Sequence, residues 1–516
     1  MGTAIATLIR KPVHALASTV EFRQVWGASK RQQLLDTANS DPAALYAPLT
    51  PSLQLGLPFV GASVVAGYFD WPKLPELLPS YFAGVQTKRD AFLVDVERSS
   101  LAARIIHYFD KNIPNEEIAR KHPEIWVKTR RYDPPEVRKT LLSRGMLREN
   151  IVRHAYRPFD IRWIYWEPET KLLGEKSPGY WLHAWSGNPT LSAQQKPRRE
   201  WQPPQVVQNI AGLDLIDRGS SNFPLALSEV GNDRTRPNLS LSIENYLKDR
   251  ALPPETVFYH IIATLHAPTY REQNAGALRM DWPRIPLPHD AATLRASADL
   301  GAMLARFLDP ETQAPGVSVA ALRAGLRVLG LPTKRGGAGL QTADLGLTAG
   351  WGSAQFTESG NPIVMPGRGL IALRDYSERE RAALEAEGMM LGLSLDEMFV
   401  LLGSKTLDVH LNSDAWWTNL PEKVWAYTLG GYQVIKKWLS YREHSVLGRE
   451  LRPDEVAYVS DMVRRIAAVL LMGPALDANY ARAKANAVAW EDGKPAATGR
   501  SARRSTNPIL ITAIGS

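Results

Sequence analysis

From Tyr156 to Trp166 the chain reads YRPFDIRWIYW, with aromatic residues set between two arginines and an aspartate. Few backbones accept such a run. Pro158 fixes its own φ and drives Arg157 away from helical geometry, which suits a chain entering a strand from a loop. A strand over 159–166 turns successive side chains to opposite faces. Phe159, Ile161, Trp163 and Tyr165 then line one face, and Asp160, Arg162, Ile164 and Trp166 line the other. Asp160 and Arg162 become neighbours. Two uses of the strand stay open. It is either an aromatic core strand with a local Arg/Asp bridge, since buried charges need partners, or a surface that binds a planar, anionic polymer.

Composition leans toward the second use without deciding it. The formal net charge is +8 over 516 residues, a modest excess that favours an anionic partner. That length suggests roughly two to four domains, with ample chain for a core. There is no cysteine, which excludes disulfides, thiolate zinc sites and a cysteine nucleophile, and makes a reducing cytoplasm the expected compartment. The apolar run from Ala4 to Ile9 stops at Arg10 and Lys11, too early for a signal-peptide core. No stretch approaches the roughly 20 apolar residues of a membrane span, so no membrane partner is expected.

The expected fold class is α+β, a mixed α/β core with a helical C-terminal part and a disordered basic tail. Residues 1–50 read as a lead-in with a helical stretch near Glu21 to Thr37. In 51–300 short apolar runs alternate with helical patterns: a strand from Ala91 to Val96, a helix from Leu101 to Phe109, and a helix whose Phe258, Ile261, Ile262 and Leu265 form one buried stripe. Residues 301–400 are rich in Gly, Pro, Ser and Thr and read as loops and hairpins, with a charged surface helix from Glu378 to Gly388. In 401–483, VWAYTL reads as a strand, Gly430 and Gly431 as a turn, and YQVIKKWLSYR as a helix, with another helix starting near Asp454. Residues 484–516, ending in RSARRSTNP, read as a disordered basic tail.

The missing motifs narrow the chemistry. GSKT at Gly403 to Thr406 lacks the first glycine of a phosphate-binding loop. DPPE at Asp133 to Glu136 ends in glutamate, where a loop gripping a flipped base needs an aromatic stacking surface. The glycine-rich turn expected for S-adenosylmethionine is also missing. The ten histidines show no metal-ligand spacing, and His260 and His266 read as structural or solvated. Positive constellations remain. In GVQTKRD, Thr87, Lys88 and Arg89 can donate to phosphates or base edges, or form a solvated turn. In YRPFDIRWIYW the candidates are Arg157 and Arg162. The block Ala267 to Pro288 reads as packing around Tyr270, Arg271, Trp282 and Arg284. In TLGGYQVIKKWLSYR the glycines precede a helix N-terminus, a place that favours anions, and Lys436, Lys437 and Arg442 supply positive charge.

Together, the order and spacing of these blocks resemble the C-terminal specificity region of type ISP restriction-modification enzymes and related large adenine-specific DNA methyltransferases. The blocks that carry the resemblance are LPELLPSYFAGVQTKRDAF, YRPFDIRWIYW, FYHIIATLHAPTYREQNAGALRMDWPRIPLP and VWAYTLGGYQVIKKWLSYR. The resemblance implies a target-recognition core that binds double-stranded DNA, with Thr87, Lys88, Arg89, Arg157, Arg162, Lys436, Lys437 and Arg442 as contacts and no catalytic residue. It implies no cofactor in this chain, S-adenosylmethionine being held by a partner or missing methyltransferase domain, and a methyltransferase, helicase and nuclease polypeptide as partner. Residues 1–50 are then the remnant of a methyltransferase domain's end, and the chain is either a separate subunit or a truncated product. Other readings are a divergent adenine methyltransferase acting alone and an architectural protein-interaction subunit.

Overall fold

A computed structural model describes residues 20–495, apart from 26, 50–51, 57–63, 199, 218, 230, 232–233, 357–361 and 492–493. The apolar run at 4–9 and the basic segment beyond 495 lie outside the described residues.

The YRPFDIRWIYW stretch is the second half of a hairpin. Ile151–Arg157 and Asp160–Tyr165 pair antiparallel with Arg157 opposite Asp160, so Pro158 and Phe159 form a two-residue turn. Phe159 is left-handed, with φ 57°, a conformation that costs a non-glycine residue about 1–2 kcal/mol. Its ring is 1 % exposed, and burying a phenylalanine contributes about 1.5–3 kcal/mol, enough to offset the strain. Phe159 therefore belongs to the turn and not to a strand face. From Asp160 onward the expected alternation holds, with Arg162 against Asp160 and Trp163 on the other face between Arg98 and Arg153.

Two hydrophobic cores flank this hairpin. The smaller is drawn from residues between Val85 and Ile216. It packs on a sheet ordered Val94–Asp95, Asp160–Tyr165, Ile151–Arg157 and Ile210–Ala211, parallel only in the last pair. The larger runs from Tyr68 to Trp490 and mixes residues from every segment of the chain past 51. It includes the helices Glu255–His266, Ala291–Leu308, Pro453–Leu471 and Gly473–Ala485. An antiparallel sheet ordered Leu331–Lys334, Ala415–Pro421, Thr406–His410 and Ile371–Arg374 packs with them. A third four-stranded sheet, Phe82–Ala83, Ser221–Pro224, Thr190–Ala193 and Gln205–Val207, gives Leu191, Val206 and Phe223 to the larger core and Val207 to the smaller. The architecture is α+β, as expected. Phe159 crosses over: its hairpin lies in the smaller lobe, while its ring lies in the larger core.

Local expectations change where tertiary packing overrides pattern. Ala91 to Val96 is one helical turn, Asp90–Leu93, and a short strand, Val94–Asp95; Phe92 and Leu93 are both buried, which removes the alternation that defines a strand. Of VWAYTL only Thr428–Leu429 is a strand; its first residues belong to the helical turn Glu422–Trp425, and a longer strand lies upstream at Ala415–Pro421. Glu255–His266 buries nearly its whole circumference, not one stripe. His260 bonds Ser297 and the Pro286 carbonyl, and His266 bonds the Pro204 carbonyl. Burial lowers His260 to about 4 and His266 to about 3, so both are neutral structural groups. Of the helical stretch expected near Glu21 to Thr37, Lys30–Asp36 is α-helix; a further helical turn lies at Pro42–Leu45, and Val20–Phe22 pairs with Ala47–Leu49. The expected tail begins too early at 484, since Ala485 closes a helix and Trp490 is buried. Among the described residues no helix is long and apolar enough to cross a membrane.

Helices Glu255–His266 and Ala291–Leu308 meet at Gly301, where an added Cβ would stand 1.8 Å from the Tyr259 carbonyl oxygen. G301A should destabilise the chain by about 1–3 kcal/mol through overpacking. The measurement is urea unfolding, and an unchanged midpoint would contradict this close approach.

Candidate nucleic-acid interface

Where the lobes meet, a buried carboxylate holds two arginines. Arg162 donates to Asp160 Oδ2 from Nε at 3.0 Å and Nη2 at 2.7 Å, and Arg442 Nη2 donates to Oδ1 at 2.8 Å. Burial alone would raise the Asp160 pKa, but Arg162 and Arg442 outweigh it and hold the carboxyl far below its ordinary range. Close by, Tyr458 donates to the Phe159 carbonyl at 2.7 Å. Glu97 in the smaller lobe accepts from Arg449 at 2.7 Å and Arg452 at 2.8 Å in the larger.

Aromatic rings tie further cations to this seam. Arg162 lies 3.9 Å from the Tyr156 ring and 4.4 Å from the Tyr441 ring. Arg157 lies 4.5 Å from Tyr156 and 5.3 Å from Tyr432, and donates to the carbonyls of Tyr156 and Asp214. Lys437 lies 4.4 Å from Tyr441, and Arg442 lies 3.9 Å from Trp438. Burial would raise the Tyr441 phenol, yet Arg157, Lys437 and Arg162 bring it below its ordinary value, so the net field there is positive.

The expected contact residues thus divide. Arg157, Arg162, Lys437 and Arg442 form one cluster. Thr87 reaches it indirectly, since its hydroxyl bonds Asp90 and Asp90 accepts from Tyr156 Oη at 2.8 Å. Lys88, left-handed at φ 59°, is exposed. Arg89 points elsewhere, covering the Tyr132 ring at 3.4 Å and donating to the Lys171 and Leu172 carbonyls. Lys436 is half-buried outside the cluster. The glycine pair does not open a helix: Gly430 and Gly431, both at positive φ, turn a hairpin between Thr428–Leu429 and Tyr432–Gln433. A Cβ on Gly430 would stand 2.7 Å from Ile216 Cα, so that glycine serves the contact between lobes.

Residues 76–460 match the family model described as the Type ISP C-terminal specificity domain. The chain belongs to that family. The fold of this specificity domain is similar to solved structures of three larger chains. One is the DrdV–DNA complex, at 17 % identity and TM-score 0.54, covering 87 % of this chain and 42 % of that one. Another is a nuclease-deletion mutant of the Type ISP restriction-modification enzyme LlaGI with a DNA substrate mimic, at 13 %, 0.51, 87 % and 37 %. The third is the ATP-dependent Type ISP enzyme LlaBIII bound to DNA, at 14 %, 0.50, 85 % and 26 %. The specificity domain spans less than half the length of each. No curated protein matches it.

Sequence reasoning missed the tyrosines. Tyr156, Tyr432 and Tyr441 organise the cations of this specificity domain, and their only sequence signal is their place beside Arg157, Gln433 and Arg442. In a tyrosine titration followed by ultraviolet absorbance, one phenol should ionise below the ordinary range, and that step should be lost in Y441F. K437M should move it upward, because a lowering charge is removed. A titration that Y441F leaves unchanged would contradict the positive field.

Proposed function

We propose that the chain is the DNA-recognition module of a type ISP restriction-modification system, reading a short duplex sequence for catalytic modules that lie elsewhere. The match of residues 76–460 to the specificity domain carries this reading, and similarity to chains solved with DNA supports it. On this reading the cationic seam and Lys88 face the duplex. Lys88, Lys436, Lys437 and Arg157 supply phosphate contacts that displace counterions. Arg162 and Arg442, spent on Asp160, position the surface more than they touch DNA. Thr87 and Arg89 are positioning residues in the same sense. The methyltransferase, which acts on adenine and holds S-adenosylmethionine, and the helicase and nuclease belong to a partner or to a longer polypeptide, and the setting is cytoplasmic.

Selection of the purified chain on a randomised duplex pool at near-physiological salt, with a parallel S-adenosylmethionine titration, tests this. The expected result is enrichment of a short asymmetric site without saturable cofactor binding. Saturable cofactor binding would replace the reading with a methyltransferase acting alone. Absence of enrichment would overturn it.

A further inference from the structure

The segment KTRRY at 128–132 lies outside the seam. Thr129 N donates to the Tyr132 carbonyl at 2.9 Å and Tyr132 N donates to the Thr129 carbonyl at 3.2 Å, so Arg130 and Arg131 are the two tip residues of a minimal hairpin. Both are exposed, and neither makes a hydrogen bond or ion pair with any described residue. Most other arginines described above are spent on carboxylates, carbonyls or rings. These two are not.

The mounting of the tip is built, not loose. Tyr132 is buried and donates to the Ile125 carbonyl at 2.8 Å. Arg89 covers its ring at 3.4 Å and ties it to the carbonyls of Lys171 and Leu172 at 3.2 and 3.0 Å. Lys128 and Asp133 close the base as an ion pair at 2.5 Å. Beside the tip lies an open trough of about 490 Å³, whose lining includes Arg130, Arg131, Thr170 and Lys171. Its acidic lining is partly neutralised, Asp133 by Lys128 and Glu169 by Arg144 at 3.5 Å, while Glu136 also lines it. An anchored tip carrying two guanidinium groups that bond no described residue suits phosphate oxygens, which match the planar fork of arginine.

Contacts also run without a break from this tip to the seam. Tyr132 meets Arg89, whose backbone N–H donates to Thr87; Thr87 bonds Asp90, and Asp90 accepts from Tyr156 beside Arg157 and Arg162. The hairpin is thus linked by contact to the candidate interface.

We propose that Arg130 and Arg131 grip the phosphate backbone of duplex DNA as a sequence-independent clamp next to the recognised site. The proposal rests on the DNA-recognition reading and adds the residues and the type of contact. Arg89 acts through Tyr132 as a positioning residue for the clamp.

The test compares the full chain with R130A/R131A on the selected duplex and on a scrambled one, across salt from about 50 to 200 mM. Removing two phosphate contacts should flatten the slope of log K against log salt by about 1.8 on both duplexes, since each contact contributes about 0.9. The site enriched from the random pool should be unchanged, as should the melting temperature, because the tip is exposed. An unchanged slope in a variant that binds and melts like the wild type would overturn the clamp and leave the DNA-recognition reading standing. A changed enriched site would overturn it too, by making the tip a reader of bases. A wild-type chain that binds neither duplex would remove both proposals together.

Discussion

One buried carboxylate holds the two lobes in register. Asp160 is 1 % exposed and faces two guanidinium groups, Arg162 from its own strand and Arg442 from the other lobe. A carboxylate so placed is strongly unfavourable alone, and its pairing with both arginines makes it tolerable. The residue before it, Phe159, is held left-handed so that its ring enters the larger core while Asp160 stays at the seam. Packing gives the attachment its strength, and the ion pairs give it a direction. An apolar contact alone tolerates sliding; a carboxylate shared by two charged arginines does so far less.

That register shapes the candidate DNA surface. Tyr156 and Arg162 come from one lobe, Lys437 and Tyr441 from the other, and their rings and charges interleave only if the lobes keep this alignment. The arginines divide by the same logic. Arg162 and Arg89 are tied internally and Arg442 bonds Asp160 through one nitrogen, and these fix the shape, while Arg130 and Arg131 are exposed and bond no described residue. Phosphate contacts position a protein on a duplex and base contacts specify its site. On the proposed reading the exposed cations serve the first task, and the second falls to side chains that a selected sequence will identify.

Much of this was legible in the residues, but only locally. The Asp160–Arg162 pair followed from a two-residue spacing on a strand. Arg442 did not, because it lies 282 residues away and nothing in a single sequence joins the two positions. Pro158 signalled an extended entry, yet the turn at Phe159 was hidden because a left-handed phenylalanine is stable only with a remote core to receive it. Gly430 and Gly431 were correctly a turn, but the backbone that requires the glycine is Ile216 on the other lobe. Arg89 read as a free cation because its partner ring, Tyr132, sits in an unrelated loop. Long-range packing, rather than local propensity, decided Arg442, Phe159, Gly430 and Arg89.

The central claim, that Asp160 and Arg442 are energetically joined across the seam, is tested most directly by a double-mutant cycle on equilibrium unfolding of the full chain, using D160N, R442M and the pair. The account predicts that each single change is costly and that the double costs clearly less than their sum, with a coupling on the order of 2–4 kcal/mol. Additive effects would contradict it, because the two lobes would then be held together without the bridge.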